Sequence, residues 1–275
     1  MKSELLDSLY AKYEIANLSF GKIHDKLGYV YEEFCVKILS DTHYLKLAKD
    51  GHEIDSLEMD VFMSVLKCCD IVDFSDIDKI DATNIIPHRA TRGLSKTDVI
   101  ITVHFMDGNE RKIAISCKQS YAPKIAFAEF DVDTICREVG ITDKRLKALM
   151  LKHQTDKSAK YFTPAESAEL RKLLEPIRER FVRWVITGSP EINPKDLVFP
   201  TVLVKFKLKK PANRYDIHVE NGELQLQAFG VTSVEDYIYS VTHTKQGNVR
   251  PGGFGTGLAW TYATGSGGYK IQFKA

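Results

Sequence analysis

Two runs of mainly β-branched and apolar residues, Thr97 to Phe105 and Arg111 to Lys118, are the feature that most constrains the fold. The residues between the two runs include Asp107 and Gly108, and an Asp-Gly pair at such a place is a strong signal for a β-hairpin. We therefore predict two antiparallel strands that lie side by side. The fold must contain a β-sheet built around them.

Helical patterns precede and follow this hairpin. The predicted helices are Ser3 to Tyr13, Asp25 to Leu39, a segment within Asp55 to Cys69, Asp131 to Val139, a helix capped by Thr142 that runs to His153, and one that begins with the Thr163 capping box and is kinked or divided at Pro176. Further strands are predicted at Thr201 to Leu208, Arg214 to Val219 and Glu223 to Phe229. These elements predict an α/β fold, with a mixed β-sheet flanked by helices. No linker or repeat interrupts residues 1–275, so we expect a single domain.

The charge distribution says more than the total charge. A formal net charge of +1 argues against a protein held on nucleic acid by bulk charge alone. However, the segment from Val241 to Ala275 contains four Lys and Arg residues and no acid. Arg89, Arg92 and Lys96 form a second acid-free basic segment. Local positive surfaces are therefore expected despite the neutral total.

The five cysteines lack the spacing of a zinc site or a disulfide framework, so we expect reduced thiols. No apolar run is long enough for a membrane span, and the first residues are too acidic for a signal peptide. We therefore expect a cytoplasmic protein without a membrane partner.

The predicted hairpin carries the residues best suited to catalysis. Asp98 begins one strand, and Ser116 and Lys118 lie two residues apart on the other, so these two side chains project from the same face. Cleavage of a phosphodiester by metal-activated water needs oxygen ligands for Mg²⁺, and a nearby lysine can stabilise the transition state. The alternative interpretation is structural: Asp98 caps a strand and Lys118 is a solvated edge residue.

The register of the hairpin decides whether these residues can meet. A strict two-residue turn at Asp107-Gly108 would place Cys117 opposite Asp98, which would send Ser116 and Lys118 to the other face. One bulged residue, or a kink at Asp98, would correct this. We therefore predict such an irregularity.

The segments SKTDVIITV and ISCK resemble the motif of the PD-(D/E)xK nucleases. Longer segments resemble one Type II restriction endonuclease of that superfamily: LGYVYEEF, AEFDVDTICREVGI, KHQTDKSAKYFTP, LLEPIRERFVRW, GFGTGLAWTYATGS and IQFKA. Together they extend over nearly the whole chain. The resemblance implies a PD-(D/E)xK core and Mg²⁺-dependent cleavage of double-stranded DNA that leaves 5′-phosphate ends. It also implies the target CCGG and bacterial origin.

Carried over residue by residue, the resemblance makes Asp98 the metal-binding aspartate and Lys118 the catalytic lysine. Ser116 stands where the family usually has Glu or Asp, and a hydroxyl is a weaker Mg²⁺ ligand than a carboxylate. Another group must therefore complete the metal shell. Glu32, on the predicted helix Asp25 to Leu39, is the candidate, with a solvated helix-face glutamate as the alternative.

The C-terminal segment is similar to the part of the family that reads bases in the major groove. Thr261, Thr264, Gln272 and Lys274 match those reading positions, and their side chains can bond to base edges. The basic segment Arg89, Arg92 and Lys96 is expected to bind phosphates. Glycine-rich loops near the C-terminus would let the backbone approach DNA, although such loops are also typical of tight turns pinned to a core by aromatic side chains.

Two other functions remain open. The chain could be a repair or structure-specific nuclease on the same core, or a DNA-binding relative that has lost catalysis, which Ser116 makes conceivable. A restriction enzyme implies a DNA methyltransferase as a genetic partner. The palindromic target fits either a monomer or a homodimer.

Overall fold

The computed structural model describes residues 3–15, 18, 20–52, 54–88, 95–191, 195–209, 226–243, 252–263 and 269–275. The chain forms two compact units. The first unit consists of residues 1–123 and 194–233, and the second unit of residues 124–193 and 234–275. The backbone of each unit is therefore made from two separate segments of the sequence.

The first unit begins with helices. They are α1 (Glu4–Lys12), α2 (Phe20–Leu39), α3 (Thr42–Lys49) and α4 (Leu57–Cys68). Ser3 and Ser56 start α1 and α4 by accepting a backbone N–H with the hydroxyl, which satisfies a donor that the helix itself leaves unpaired. The predicted helices in this region are confirmed, although α2 begins five residues before Asp25.

A mixed five-stranded sheet follows. Its strands are β1 (Ile77–Thr83), β2 (Val99–Phe105), β3 (Glu110–Ser120), β5 (Val202–Leu208) and β6 (Leu226–Ser233), in the spatial order β1-β2-β3-β5-β6. The pair β3 and β5 is parallel, and the other neighbouring pairs are antiparallel. The predicted hairpin and the strand at Thr201 to Leu208 are confirmed, while the predicted strand Arg214 to Val219 lies outside the described residues.

One face of this sheet forms a hydrophobic core with α2 and α4. Tyr31 and Phe34 of α2 pack on Phe206 of β5, with ring centroids 4.4 Å and 5.9 Å away. All three side chains are fully buried, so each removes a large apolar surface from water. This packing holds α2 against the strands that carry Asp98, Ser116 and Lys118.

The second unit is mainly helical. Its helices are α5 (Val132–Val139), α6 (Lys144–Asp156), α7 (Pro164–Leu174), α8 (Arg178–Thr187) and α9 (Val234–His243). The capping box of Thr163 and Glu166 is confirmed, and a short 3-10 helix at Glu175–Ile177 separates α7 from α8 at the predicted proline. The prediction that Thr142 caps α6 is wrong: Asp143 does so, because its carboxylate accepts the N–H groups of Arg145 and Leu146.

A three-stranded antiparallel sheet completes the second unit. Its strands are β4 (Ala126–Phe130), β7 (Ala259–Tyr262) and β8 (Ile271–Lys274), in the order β4-β8-β7. The glycine-rich segment before β7 makes tight turns, with positive φ at Gly252, Gly255 and Gly257. Phe254 and Trp260 are buried at 5% and 6% exposure, so in the described part of this segment the aromatic side chains do pin turns to a core.

The helices contain no candidate membrane span. Across the described residues, none is both long enough and apolar enough to cross a bilayer.

Candidate active site

The carboxylate of Asp98 is the centre of a hydrogen-bond cluster in the first unit. Its Oδ2 accepts three bonds: from the Ser116 hydroxyl at 3.0 Å, from the backbone N–H of Cys117 at 2.8 Å, and from Lys118 Nζ at 2.9 Å. Within the described residues, no hydrogen bond reaches Oδ1. The three predicted catalytic residues are therefore in direct contact, and one oxygen of the aspartate is left for another ligand.

The hairpin has the predicted irregularity. The ladder pairs Val99 with Ile115, yet the N–H of Asp98 also donates to the Ile115 carbonyl at 2.8 Å, so the chain departs from the ladder at Asp98. The turn contains one residue more than a strict Asp-Gly turn, because Phe105 pairs with Asn109 and Gly108 adopts a φ of 85°. This extra residue shifts the register by one and brings Ser116 and Lys118 to the side of Asp98.

The cluster is only partly shielded from water. Ser116 is 2% exposed, whereas the side chains of Asp98 and Lys118 are 20% and 19% exposed. An ion pair at this depth is screened less than one on the surface, and its hydrogen bonds fix the position of the ammonium group. Lys118 Nζ also donates to the Cys117 carbonyl at 3.1 Å, which orients it further.

Cys117 connects the site to helix α2 on the opposite face of β3. Its Sγ lies 3.5 Å from Sγ of Cys35, and both thiols are buried. All five cysteines are free, which agrees with their predicted reduced state. Glu32 precedes Cys35 by three residues, and residues at this spacing share one side of a helix. Glu32 therefore lies on the same side of α2 as the thiol that contacts β3.

Glu32 lies close enough to the cluster for its carboxylate to interact with the charges of Asp98 and Lys118. Burial, and after it the negative charge of Asp98, together raise the pKa of Glu32 to about 7, although the positive charge of Lys118 opposes this rise. Two carboxylates in one partly buried place repel each other when both are ionised. A cation between them would relieve this repulsion.

The chemistry of these side chains suits a hard divalent cation. Asp98 offers a free Oδ1, Glu32 offers a second carboxylate, and Ser116 offers a hydroxyl oxygen. Within the described residues no group of three or more His, Cys, Asp and Glu side chains could hold a metal. Mg²⁺ often keeps several water ligands, so one or two carboxylates are an ordinary protein contribution to its shell.

Three of the predicted base-reading residues share a face of the three-stranded sheet in the second unit. Thr261 pairs with Gln272, while Lys274 pairs with Ala259, and directly paired residues point to the same side. Their neighbours Trp260 and Phe273 point to the other side and are buried at 6% and 0% exposure. The side that carries Thr261, Gln272 and Lys274 is called the polar face below.

Of the other residues predicted to contact DNA, the structure describes only Lys96. The backbone N–H of Lys96 donates to the carbonyl of Val198 at 3.3 Å, as the hydroxyl of Ser95 also does at 2.8 Å, which anchors the segment before Asp98. Arg89, Arg92 and Thr264 lie outside the described residues.

Sequence reasoning missed three residues that shape these sites. The Cys117 N–H and the Cys35 thiol act through the backbone and through packing, which no motif records. The third, Glu129 on β4, pairs with Gln272 and so belongs to the polar face. Its strand and its partner are far apart in the sequence, and local patterns carry no signal of that pairing.

The family profile described as "Restriction endonuclease MspI" matches residues 11–275. The Type II restriction enzyme MspI from Moraxella sp is 35% identical over 277 aligned residues, which include 100% of both chains. The Type II restriction enzyme BsuFI from Bacillus subtilis is 25% identical over 265 residues, which include 94% of this chain and 61% of that enzyme.

A solved structure gives the same result for the fold. The crystal structure of MspI in complex with its cognate DNA matches this chain with a TM-score of 0.83 at 34% identity, and the match includes 100% of both chains. Sequence and fold are therefore similar from end to end.

Proposed function

This chain belongs to the family of the Type II restriction endonuclease MspI, and from that premise we propose that it cleaves double-stranded DNA at CCGG, with Mg²⁺, leaving 5′-phosphate ends. The observation that carries the proposal is the convergence of Ser116, Cys117 and Lys118 on one oxygen of Asp98. We assign the mixed sheet and its helices to a PD-(D/E)xK core on the same grounds.

Asp98 and Glu32 are the residues that would hold the metal. Mg²⁺ supplies an activated water and offsets the charge that develops on the phosphate. The Ser116 hydroxyl and the Cys117 N–H keep Oδ2 of Asp98 in place, so Oδ1 is presented in a fixed direction. Ser116 is then mainly a positioning residue, which explains how a hydroxyl can replace the usual carboxylate of the motif.

Lys118 is the cation nearest the reacting phosphate in this assignment. The hydrogen bonds to Asp98 and to the Cys117 carbonyl hold its ammonium group in a partly buried position. A fixed positive charge stabilises the additional negative charge of the transition state more than a mobile one. An ammonium group can also orient the attacking water by hydrogen bonding.

DNA recognition is assigned to the polar face. Lys274 can donate to guanine O6 and N7, and Thr261 and Gln272 offer donors and acceptors to base edges. Thr264 is proposed to act beside them. Lys96, with Arg89 and Arg92, is proposed to bind phosphates. A DNA methyltransferase is the expected genetic partner.

A plasmid-cleavage assay tests the proposal. The wild-type chain should cut a plasmid with CCGG sites when Mg²⁺ is present and leave it intact with EDTA. Asp98→Ala and Lys118→Ala should each abolish cutting while specific DNA binding persists, because these side chains act on the metal, the water and the phosphate. The matched control is Lys112→Ala, which removes an exposed lysine from the same strand.

Each contrary result has a distinct meaning. Cutting that requires flaps or junctions rather than CCGG would favour a structure-specific nuclease. Binding to CCGG without cutting under any condition would favour an inactive relative. Cutting by Lys118→Ala at the wild-type rate would overturn the active-site assignment.

A further inference from the structure

The polar face contains an acidic residue that stands beside the predicted base readers. In the register of the second sheet, Glu129 of β4 pairs with Gln272 of β8, which pairs with Thr261 of β7. The three side chains form a row across the sheet. A second row lies two residues along β8, where Lys274 is flanked by Ala126 and Ala259.

The contacts within the first row leave the carboxylate of Glu129 available. The Thr261 hydroxyl donates to the Gln272 carbonyl at 3.2 Å and lies 3.4 Å from its Oε1. Over the described ranges of the chain, neither a hydrogen bond nor an ion pair to the Glu129 side chain is found, and Glu129 is only partly buried. The row therefore ends in an acceptor that is open to a ligand.

A carboxylate on a surface that meets DNA needs a specific reason. It repels phosphates, and an ionised carboxylate can only accept hydrogen bonds. In the major groove, the base-edge donors are adenine N6 and cytosine N4. A glutamate that faces the groove is therefore stabilised only where one of these two amino groups lies opposite it.

We propose that Glu129 is a specificity-determining residue that accepts a hydrogen bond from N4 of a cytosine in the recognition site. This inference rests on the proposed CCGG target, which contains no adenine, so cytosine N4 is its only major-groove donor. The two rows together then supply what C·G pairs present in the major groove: Lys274 donates to a guanine, and Glu129 accepts from a cytosine. Residues two apart on a strand are about 7 Å apart, which is roughly two base-pair steps, so the rows can read different pairs.

The test uses duplexes that change the cytosine amino group alone. N4-methylcytosine, placed at the first or the second cytosine of CCGG, replaces the hydrogen that faces the major groove. Binding is measured with Ca²⁺ in place of Mg²⁺ to avoid cutting, for the wild-type chain, Glu129→Ala and Glu129→Gln. Glu175→Gln is the control, since it removes an exposed acid from the same unit outside the polar face.

For the wild-type chain, methylation at one of the two cytosines should weaken binding by about ten-fold or more. Glu129→Ala should bind unmodified CCGG more weakly and should lose most of its sensitivity to methylation at that cytosine. Glu129→Gln keeps an oxygen acceptor but adds an amino donor. Because thymine presents an acceptor, O4, in the major groove, this variant should discriminate less against a thymine in place of the contacted cytosine. Glu175→Gln should behave as the wild-type chain does. Thermal unfolding checks that each variant is folded.

Two outcomes separate this inference from the proposed function. If the wild-type chain prefers CCGG and Glu129→Ala retains full sensitivity to methylation at both cytosines, the role of Glu129 is refuted and the proposed function stands. If Glu129→Ala bound CCGG and a scrambled duplex more tightly by the same factor, the proposed role of Glu129 would also be refuted. Glu129 would then only repel the phosphates of the DNA. If the wild-type chain shows no preference for CCGG, the proposed target fails and the inference fails with it.

Discussion

Replacing His153 with phenylalanine should make the stability of this protein less sensitive to acid. His153 is 1% exposed, and Phe162, Phe254 and Trp260 surround it with ring centroids 6.2, 5.8 and 5.5 Å away. Neither ring nitrogen has a hydrogen-bond partner among the described residues. Burial lowers the pKa of His153 to about 4, although the charge of Asp156 acts in the opposite direction.

The size of the effect follows from this shift. An unfolded histidine has a pKa of about 6.5, so between about pH 6.5 and 4 the unfolded chain binds a proton that the folded chain does not. Stability contributed by the neutral ring is therefore complete above this range and is lost as the pH falls. Each pH unit inside it costs about 1.4 kcal/mol, so the loss on going from neutral pH to pH 5 is about 2 kcal/mol.

Urea unfolding at several values between pH 8 and pH 5 measures this loss. The difference in unfolding free energy between His153→Phe and the wild-type chain should grow in favour of the variant by about 2 kcal/mol as the pH falls. His153→Gln, which also cannot titrate, should show the same change even if its stability at pH 8 is lower. His43→Gln removes an exposed histidine and serves as the control. A difference that stays constant over the range would refute the neutral buried state of His153.

Three other substitutions give expected results. Ser116→Asp adds a hard ligand beside Asp98, so cleavage should reach half its maximum at a lower Mg²⁺ concentration. Lys274→Ala should weaken binding to CCGG by about 1–3 kcal/mol and leave binding to a scrambled duplex nearly unchanged, as a titration of both duplexes would show. Gly257→Ala should destabilise the fold by about 3 kcal/mol or more in urea unfolding, because φ is +81° and the new Cβ would overlap the Val241 carbonyl oxygen. Gly230→Ala, whose Cβ would meet no atom within 4 Å, is the matched control for the last.

These predictions can fail in specific ways. An unchanged Mg²⁺ titration for Ser116→Asp would show that a side chain at position 116 does not reach the metal. If Lys274→Ala lost the same binding free energy on both duplexes, this lysine would contact the phosphate backbone of the DNA. Sequence specificity would then depend on other residues. Equal stabilities for Gly257→Ala and Gly230→Ala would show that the turn before β7 can relax.

The two strands of the hairpin that brings Asp98, Ser116 and Lys118 together were predictable because their signals are local. The two runs around Asp107-Gly108 predicted a hairpin, and the spacing of Ser116 and Lys118 predicted a shared face. The need for an irregularity also followed from counting residues. The position of the irregularity could not be predicted in this way. Turns of two and of three residues that contain Asp-Gly have similar sequences, but they give registers that differ by one residue and so place opposite faces together.

Other features depend on contacts between distant segments. Strand β1 was missed because its sequence, IDKIDAT, mixes acids and lysine with few apolar residues, as is typical of an exposed edge strand. Helix α9 was missed as well, since its apolar side chains are interleaved with Glu235, Asp236 and Tyr239 immediately after a strand. The burial of His153 and the row that contains Glu129 both arise from tertiary packing, which single-sequence patterns do not contain.

The interrupted path of the chain bears on how such an enzyme can change its target during evolution. The strands of the second sheet come from two places in the sequence: β4 from one segment of the second unit, and β7 with β8 from the other. A single genetic crossover that exchanged the C-terminal segment would bring a new β7 and β8 but keep the old β4. The original β4 would then have to pair with the new β8. Recombinant proteins should therefore fold mainly where both parents have the same register between β4 and β8. In this family, new specificities are therefore expected to arise more readily by point mutation than by exchange of segments.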